Sequence, residues 1–151
     1  MFPGLCNADD KWDPFIGTWE YRQANPAAES GYDSEGERLE IRRIGQSIKA
    51  FYFGVEREGE HGLFYSVTEA DGLSMDSNGR ISFTVPVRRL YHKRPASLEA
   101  AKKSGDDSSG FTSYTLHMSG TLDNGRLVVR CGSQFGNCPD DQIVFKKAPW
   151  K

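Results

Sequence analysis

Apolar and polar residues alternate along most of this chain with a period of two. After the short apolar plug Phe15-Ile16, Gly17 opens a first strand running to about residue 23. Trp19 and Tyr21 fall on one face and Thr18, Glu20 and Arg22 on the other. Such alternation marks strands with one buried face. In Glu37–Ile44, Leu39 and Ile41 oppose Arg38, Glu40 and Arg42. The run 47–57 is apolar on both faces, Phe51, Phe53 and Val55 against Ile48, Ala50 and Tyr52, so periodicity does not fix its inward side. Leu63, Tyr65 and Val67 alternate along the next strand. The short piece Leu73-Ser74-Met75 and then the strand 80–87 follow, the latter with Ile81, Phe83, Val85 and Val87 on one face. Pro86 cannot donate to a ladder, so this strand is predicted to be at an edge or bulged there.

Later strands carry Tyr114, Leu116 and Met118, then Leu127 and Val129, then Ile143 and Phe145. Asp71-Gly72 is a strong turn signal, and Asn78-Gly79 and Asn124-Gly125 are expected to make hairpin turns, since their residues tolerate positive φ. Residues 24–36 read as loop. Asn7 and the residues up to Trp12 fit a short helical turn with Asn7 as its cap. The one long break in the strand pattern, 88–110, holds a basic run, a short helix near 95–103 and a polar loop.

About eight strands with hairpin-length connections favour sequential antiparallel pairing. Closure into an up-and-down β-barrel would remove the exposed edges. The expected fold is therefore an all-β, eight-stranded antiparallel barrel in a single domain, 1–151, with a two-sheet sandwich as the alternative.

Composition narrows the function. A formal net charge of −2 gives no general attraction for nucleic acid, and no apolar run approaches the ~18 residues of a membrane span. Residues 1–6 lack the regions of a signal peptide, so a leader is taken as already removed. Cys131 and Cys138 bracket a hairpin-sized loop and are expected to form a disulfide, which favours a periplasmic or secreted location over a cytoplasmic one. Cys6 is the odd thiol.

The plug Phe15-Ile16 followed by Gly17-Thr18-Trp19 at the start of a strand resembles the opening motif of the calycin group, the lipocalins and fatty-acid-binding proteins. The resemblance covers about a dozen residues as sequence and the rest only as strand pattern. It implies a barrel closed at the Trp19 end, with a late-strand arginine, here Arg130, packed over the indole. The chain departs from the group in lacking a Thr-Asp-Tyr motif and a two-helix lid.

No catalytic, metal or cofactor motif emerges. His61, His92 and His117 lack metal-ligand spacing, there is no nucleophile elbow or phosphate loop, and Asp9-Asp10, Asp106-Asp107 and Asp140-Asp141 fit turns and caps. The chain is read as non-enzymatic. The inward aromatic set, with Trp19, Tyr21, Phe53, Tyr65, Phe83 and Tyr114, suggests a pocket in which tyrosine hydroxyls and Gln23 orient a ligand. The basic run, with Arg88, Arg89 and Tyr91, is expected to lie over the mouth and favour an anionic group. A small hydrophobic or anionic ligand held by a monomer or dimer is the first expectation. A secreted barrel that binds a protein, such as an enzyme, through its 88–110 and 131–138 loops is the second.

Overall fold

The computed structural model describes residues 8–57, 62–105 and 113–149. Asn7, Cys6, His61 and Asp106-Asp107 lie outside them. A 3-10 helix, Ala8–Phe15, leads into nine strands: β1 Gly17–Tyr21, β2 Glu37–Ile44, β3 Ser47–Arg57, β4 Leu63–Glu69, β5 Asp71–Met75, β6 Ile81–Val87, β7 Tyr114–Asp123, β8 Arg126–Ser133 and β9 Gln142–Lys147. They form one antiparallel sheet in the order β4-β3-β2-β1-β9-β8-β7-β6-β5. The all-β expectation holds.

The sheet is not closed into a barrel. Its two edges, β4 and β5, are consecutive in the chain and joined by Ala70. Glu69 is still registered with Phe51 of β3, whereas Asp71 is already registered with Thr84 of β6. The free edge of β4 is used elsewhere: the Tyr65 and Tyr91 backbones exchange hydrogen bonds of 2.8 and 2.7 Å. Tyr91, just beyond β6, thus occupies part of the edge that barrel closure would need. The ninth strand is the 71–75 piece, which pairs in its own right. Beyond Thr84 no β5 residue is registered with β6, so Pro86 lies where β6 lacks a neighbour on that side, as its missing N–H requires.

The segment after β6 corrects two expectations. Apart from Arg94, which donates to Glu35 and the Gly36 carbonyl, it does not cover the mouth; it packs on the outer face of β3 and β4. Its helix α1, Leu98–Ser104, is capped by Ser97 Oγ, which accepts from Ala100 N–H at 3.1 Å, and ends at Gly105. Tyr91, Ala101 and Leu98 pack there on Phe51, Phe53 and Val67. The main core takes the other face of β3, with Ala50 and Tyr52, and is filled by Trp19, Leu39, Ile41, Phe83, Leu116, Leu127, Phe145 and their neighbours. Both faces of β3 are apolar because both are buried. Phe53 and Tyr65 therefore do not point into the interior, and Tyr91 belongs to the outer cluster.

The end at Gly17 is closed. Trp12, Phe15 and Trp19 are buried there, and the Trp19 indole N–H donates to the Phe15 carbonyl at 2.9 Å. The cation over the indole is Lys147, whose Nζ lies 4.6 Å from the ring centroid and donates to the Ile16 carbonyl at 2.7 Å. Arg130 does not stack on it. Leu127, Val129 and Cys131 take the inward positions of β8, so the period-two pleat turns Arg130 out to solvent. Gly17 has φ +140°, and a Cβ there would sit 2.7 Å from Lys147 Cε.

At the opposite end Gly36 has no room for a side chain: a Cβ would lie 2.1 Å from the Tyr21 carbonyl oxygen. Gly36→Ala must push β1 and β2 apart where Tyr21 faces Glu37. A loss of about 1–3 kcal/mol, the usual scale of overpacking, is expected in urea unfolding; an unchanged midpoint would show that this contact is not tight.

Candidate functional site

The strand ends opposite Trp19 bring together side chains from five parts of the chain. β1 supplies Tyr21 and, just beyond it, Gln23. β2 supplies Glu37, and β3 supplies Tyr52 and Glu56. β7 supplies Tyr114, and the β8–β9 connection supplies residues 136–140. Beside them lies a hollow of about 230 Å³ lined by Gln23, Asp33, Glu35, Glu37, Val55, Glu56, Gly136, Asn137, Cys138 and Pro139.

Hydrogen bonds tie this mouth together. Gln23 Nε2 donates to the Pro139 carbonyl at 2.8 Å. Tyr21 donates to Asp140 Oδ2 at 3.3 Å, and Tyr114 donates to Glu56 Oε1. Arg94 donates to Glu35 and, at 2.6 Å, to the Gly36 carbonyl. The disulfide Cys131–Cys138 is present and holds the 136–139 wall against the end of β8.

Glu37 dominates the electrostatics. It is 6 % exposed, and burial pushes its carboxyl up to about 7. Hydrogen bonds from the Val55 amide and its own amide work against that rise, Glu56 adds to it and Arg94 reduces it. Burial, with Asp140 assisting, pushes Tyr21 up to about 12. Tyr52 is driven well above its ordinary value by burial and by the charges of Glu37, Tyr114, Glu56 and Tyr21. One step below Glu56, Ser66 faces Gly54 across the β3–β4 ladder. Its hydroxyl is buried without a hydrogen-bond partner.

Of the residues expected to bind a ligand, the structure brings Tyr21, Gln23 and Tyr114 to this mouth. Phe83 is packed in the core. Phe53, Tyr65 and Tyr91 lie on the outer face, where the Arg94 guanidinium sits 5.9 Å from the Tyr65 ring centroid. Arg88 and Arg89 are exposed and do not line the hollow. Glu37 and Glu56 line the hollow and were not anticipated. The phase of β2 already contained one of them: Glu37, Leu39 and Ile41 share a face.

A second, wider groove of about 590 Å³ runs along the outside of β6–β8, past Thr84, His117, Ser119 and Arg130. It is larger but shallow and open, and it gathers no buried polar group. Among the described residues no three His, Cys, Asp or Glu side chains converge as a metal-ligand set, and no helix is long and apolar enough to cross a membrane.

No protein-family model, no curated protein and no solved structure matches this chain.

Proposed function

We propose that this is a non-enzymatic binding protein, calycin-like in its Gly17-Thr18-Trp19 opening, that takes a small ligand at the end opposite Trp19. The observation that carries the reading is the hollow lined by Glu37 and its neighbours, with the Tyr21 and Tyr114 hydroxyls bonded to Asp140 and Glu56 beside it. Binding sites of this kind combine concavity with a few converging polar groups. The closed Trp19 end and the packed core leave the mouth as the place where a ligand fits. The negative field of Asp33, Glu35, Glu37 and Glu56 argues against the anionic head group expected from the basic run. The disulfide is compatible with action outside the cytoplasm.

Fragment screening by amide NMR tests the reading. Shifts are expected at Gln23, Glu37, Glu56 and Asn137. Shifts confined to the outer groove around His117 and Arg130, or none with any fragment, would remove it.

A second reading is a protein-contact surface on the disulfide loop, because Phe135 stands 64 % exposed at its tip beside the mouth. Phe135→Ser would then abolish binding to a purified protein partner and leave fragment binding at the mouth intact. A partner that bound the variant equally well would rule this loop out.

A further inference from the structure

Four carboxylates line a hollow of about 230 Å³: Asp33, Glu35, Glu37 and Glu56. The Arg94 guanidinium reaches one of them, Glu35, and the Gly36 carbonyl. Glu37 is the unusual member. It is almost fully buried, it makes no salt bridge among the described residues, and its hydrogen bond from the Val55 amide is long at 3.4 Å. A buried carboxyl without a cation is costly as an anion, so the protein alone does not provide the partner that its ionised form needs.

Glu37 is thus a buried acceptor that, when ionised, suits a donor carrying positive charge. A primary ammonium supplies three N–H donors and one compact charge. The hollow falls below the roughly 300 Å³ where pockets for drug-sized ligands begin, which limits the ligand to a small one. Resting on the mouth reading above, we propose that the ligand is a small primary organic amine bound as its ammonium ion, with Glu37 as the main counter-charge and Glu56 as the second.

The test compares three probes of similar shape on the full chain at pH 8 and low salt, by calorimetry and amide NMR: phenethylamine, 2-phenylethanol and 3-phenylpropionate. The amine is expected to bind and shift the Glu37 and Glu56 amides. The alcohol and the carboxylate should bind at least about tenfold more weakly, as loss of a charge-assisted hydrogen bond implies. Glu37→Gln should weaken the amine by a similar factor and leave any alcohol binding unchanged. Glu56→Gln, at a less buried site, should also weaken the amine and serves as a second variant in case Glu37→Gln perturbs folding. If the alcohol binds the mouth as tightly as the amine, the charge inference falls and the mouth reading stands. If the amine does not bind, or neither variant weakens it, the inference is overturned. Failure of every probe and fragment to shift the mouth amides overturns both.

Discussion

Trp19→Ala is expected to lower the unfolding free energy by about 3–5 kcal/mol, the usual cost of emptying a large aromatic site. The ring is 2 % exposed, and its strand is paired with β2 on one side and β9 on the other. Truncation removes a large apolar contact and leaves the Phe15 carbonyl without its indole donor. It also strips the Lys147 ammonium of the ring beneath it. Set against the ~5–15 kcal/mol that single domains typically have, this is a large share of the stability. Urea unfolding followed by circular dichroism measures it. Two companion variants check the cause. Trp19→Phe should retain most of the packing and lose roughly 1 kcal/mol with the indole hydrogen bond. Arg130→Ala should change stability by less than about 0.5 kcal/mol, because Arg130 is an exposed outward residue. A destabilisation by Arg130→Ala as large as that by Trp19→Ala would contradict the Lys147 arrangement.

Glu37 makes stability depend on pH in the direction opposite to an ordinary surface carboxylate. Its carboxyl is raised from 4.5 to about 7 in the folded protein. Between those values the folded chain holds a proton that the unfolded chain has released. By linkage, stability is fully present below about pH 4.5, falls as pH rises, and levels off above about 7. The size of the loss is on the order of 3 kcal/mol. Gln imitates the protonated acid, so Glu37→Gln should remove this part of the slope and be more stable than the parent at pH 8. Denaturant midpoints of the two proteins at pH 4.5, 6, 7 and 8 give the comparison; parallel profiles would mean that Glu37 is not the group responsible. Asp76 opposes the trend, since hydrogen bonds from the Arg80 and Asn78 amides lower its pKa. Its contribution is common to both proteins and cancels in the difference.

Much of the strand layout is legible in the sequence, because it is set locally. β2, β3 and β9 span the ranges that alternation and turn dipeptides predict, and Asn124-Gly125 makes its hairpin with φ of 53° and 77°. Closure was not legible. Alternation along β4 and β6 does not reveal that Tyr91 takes hydrogen bonds at the β4 edge. The inward side of β3 was hidden for a related reason, since the cover over Phe51 and Phe53 comes from residues 91–101, far along the chain. Arg130 is a different case. The pleat of Leu127, Val129 and Cys131 turns it outward, and the family resemblance pointed the other way. For the site, the tyrosines drew attention as aromatic pocket residues. Their function at the mouth depends on acids whose burial arises only when five chain segments meet.

One feature of the topology also orders how the molecule can be made. Strands β1–β4 form one meander and β5–β9 another, each built from neighbours in the chain. Besides the Tyr65–Tyr91 bridge, the two meanders have a covalent stitch at Ala70 and a non-covalent one where Trp19 and Glu20 pair with Lys147 and Lys146. The second stitch closes a loop that includes every other strand, so its entropy cost is the largest in the fold. Local hairpins are therefore expected to form ahead of it, as contact-order arguments require. During synthesis the indole at the closed end stays without its lysine until the final strand has emerged.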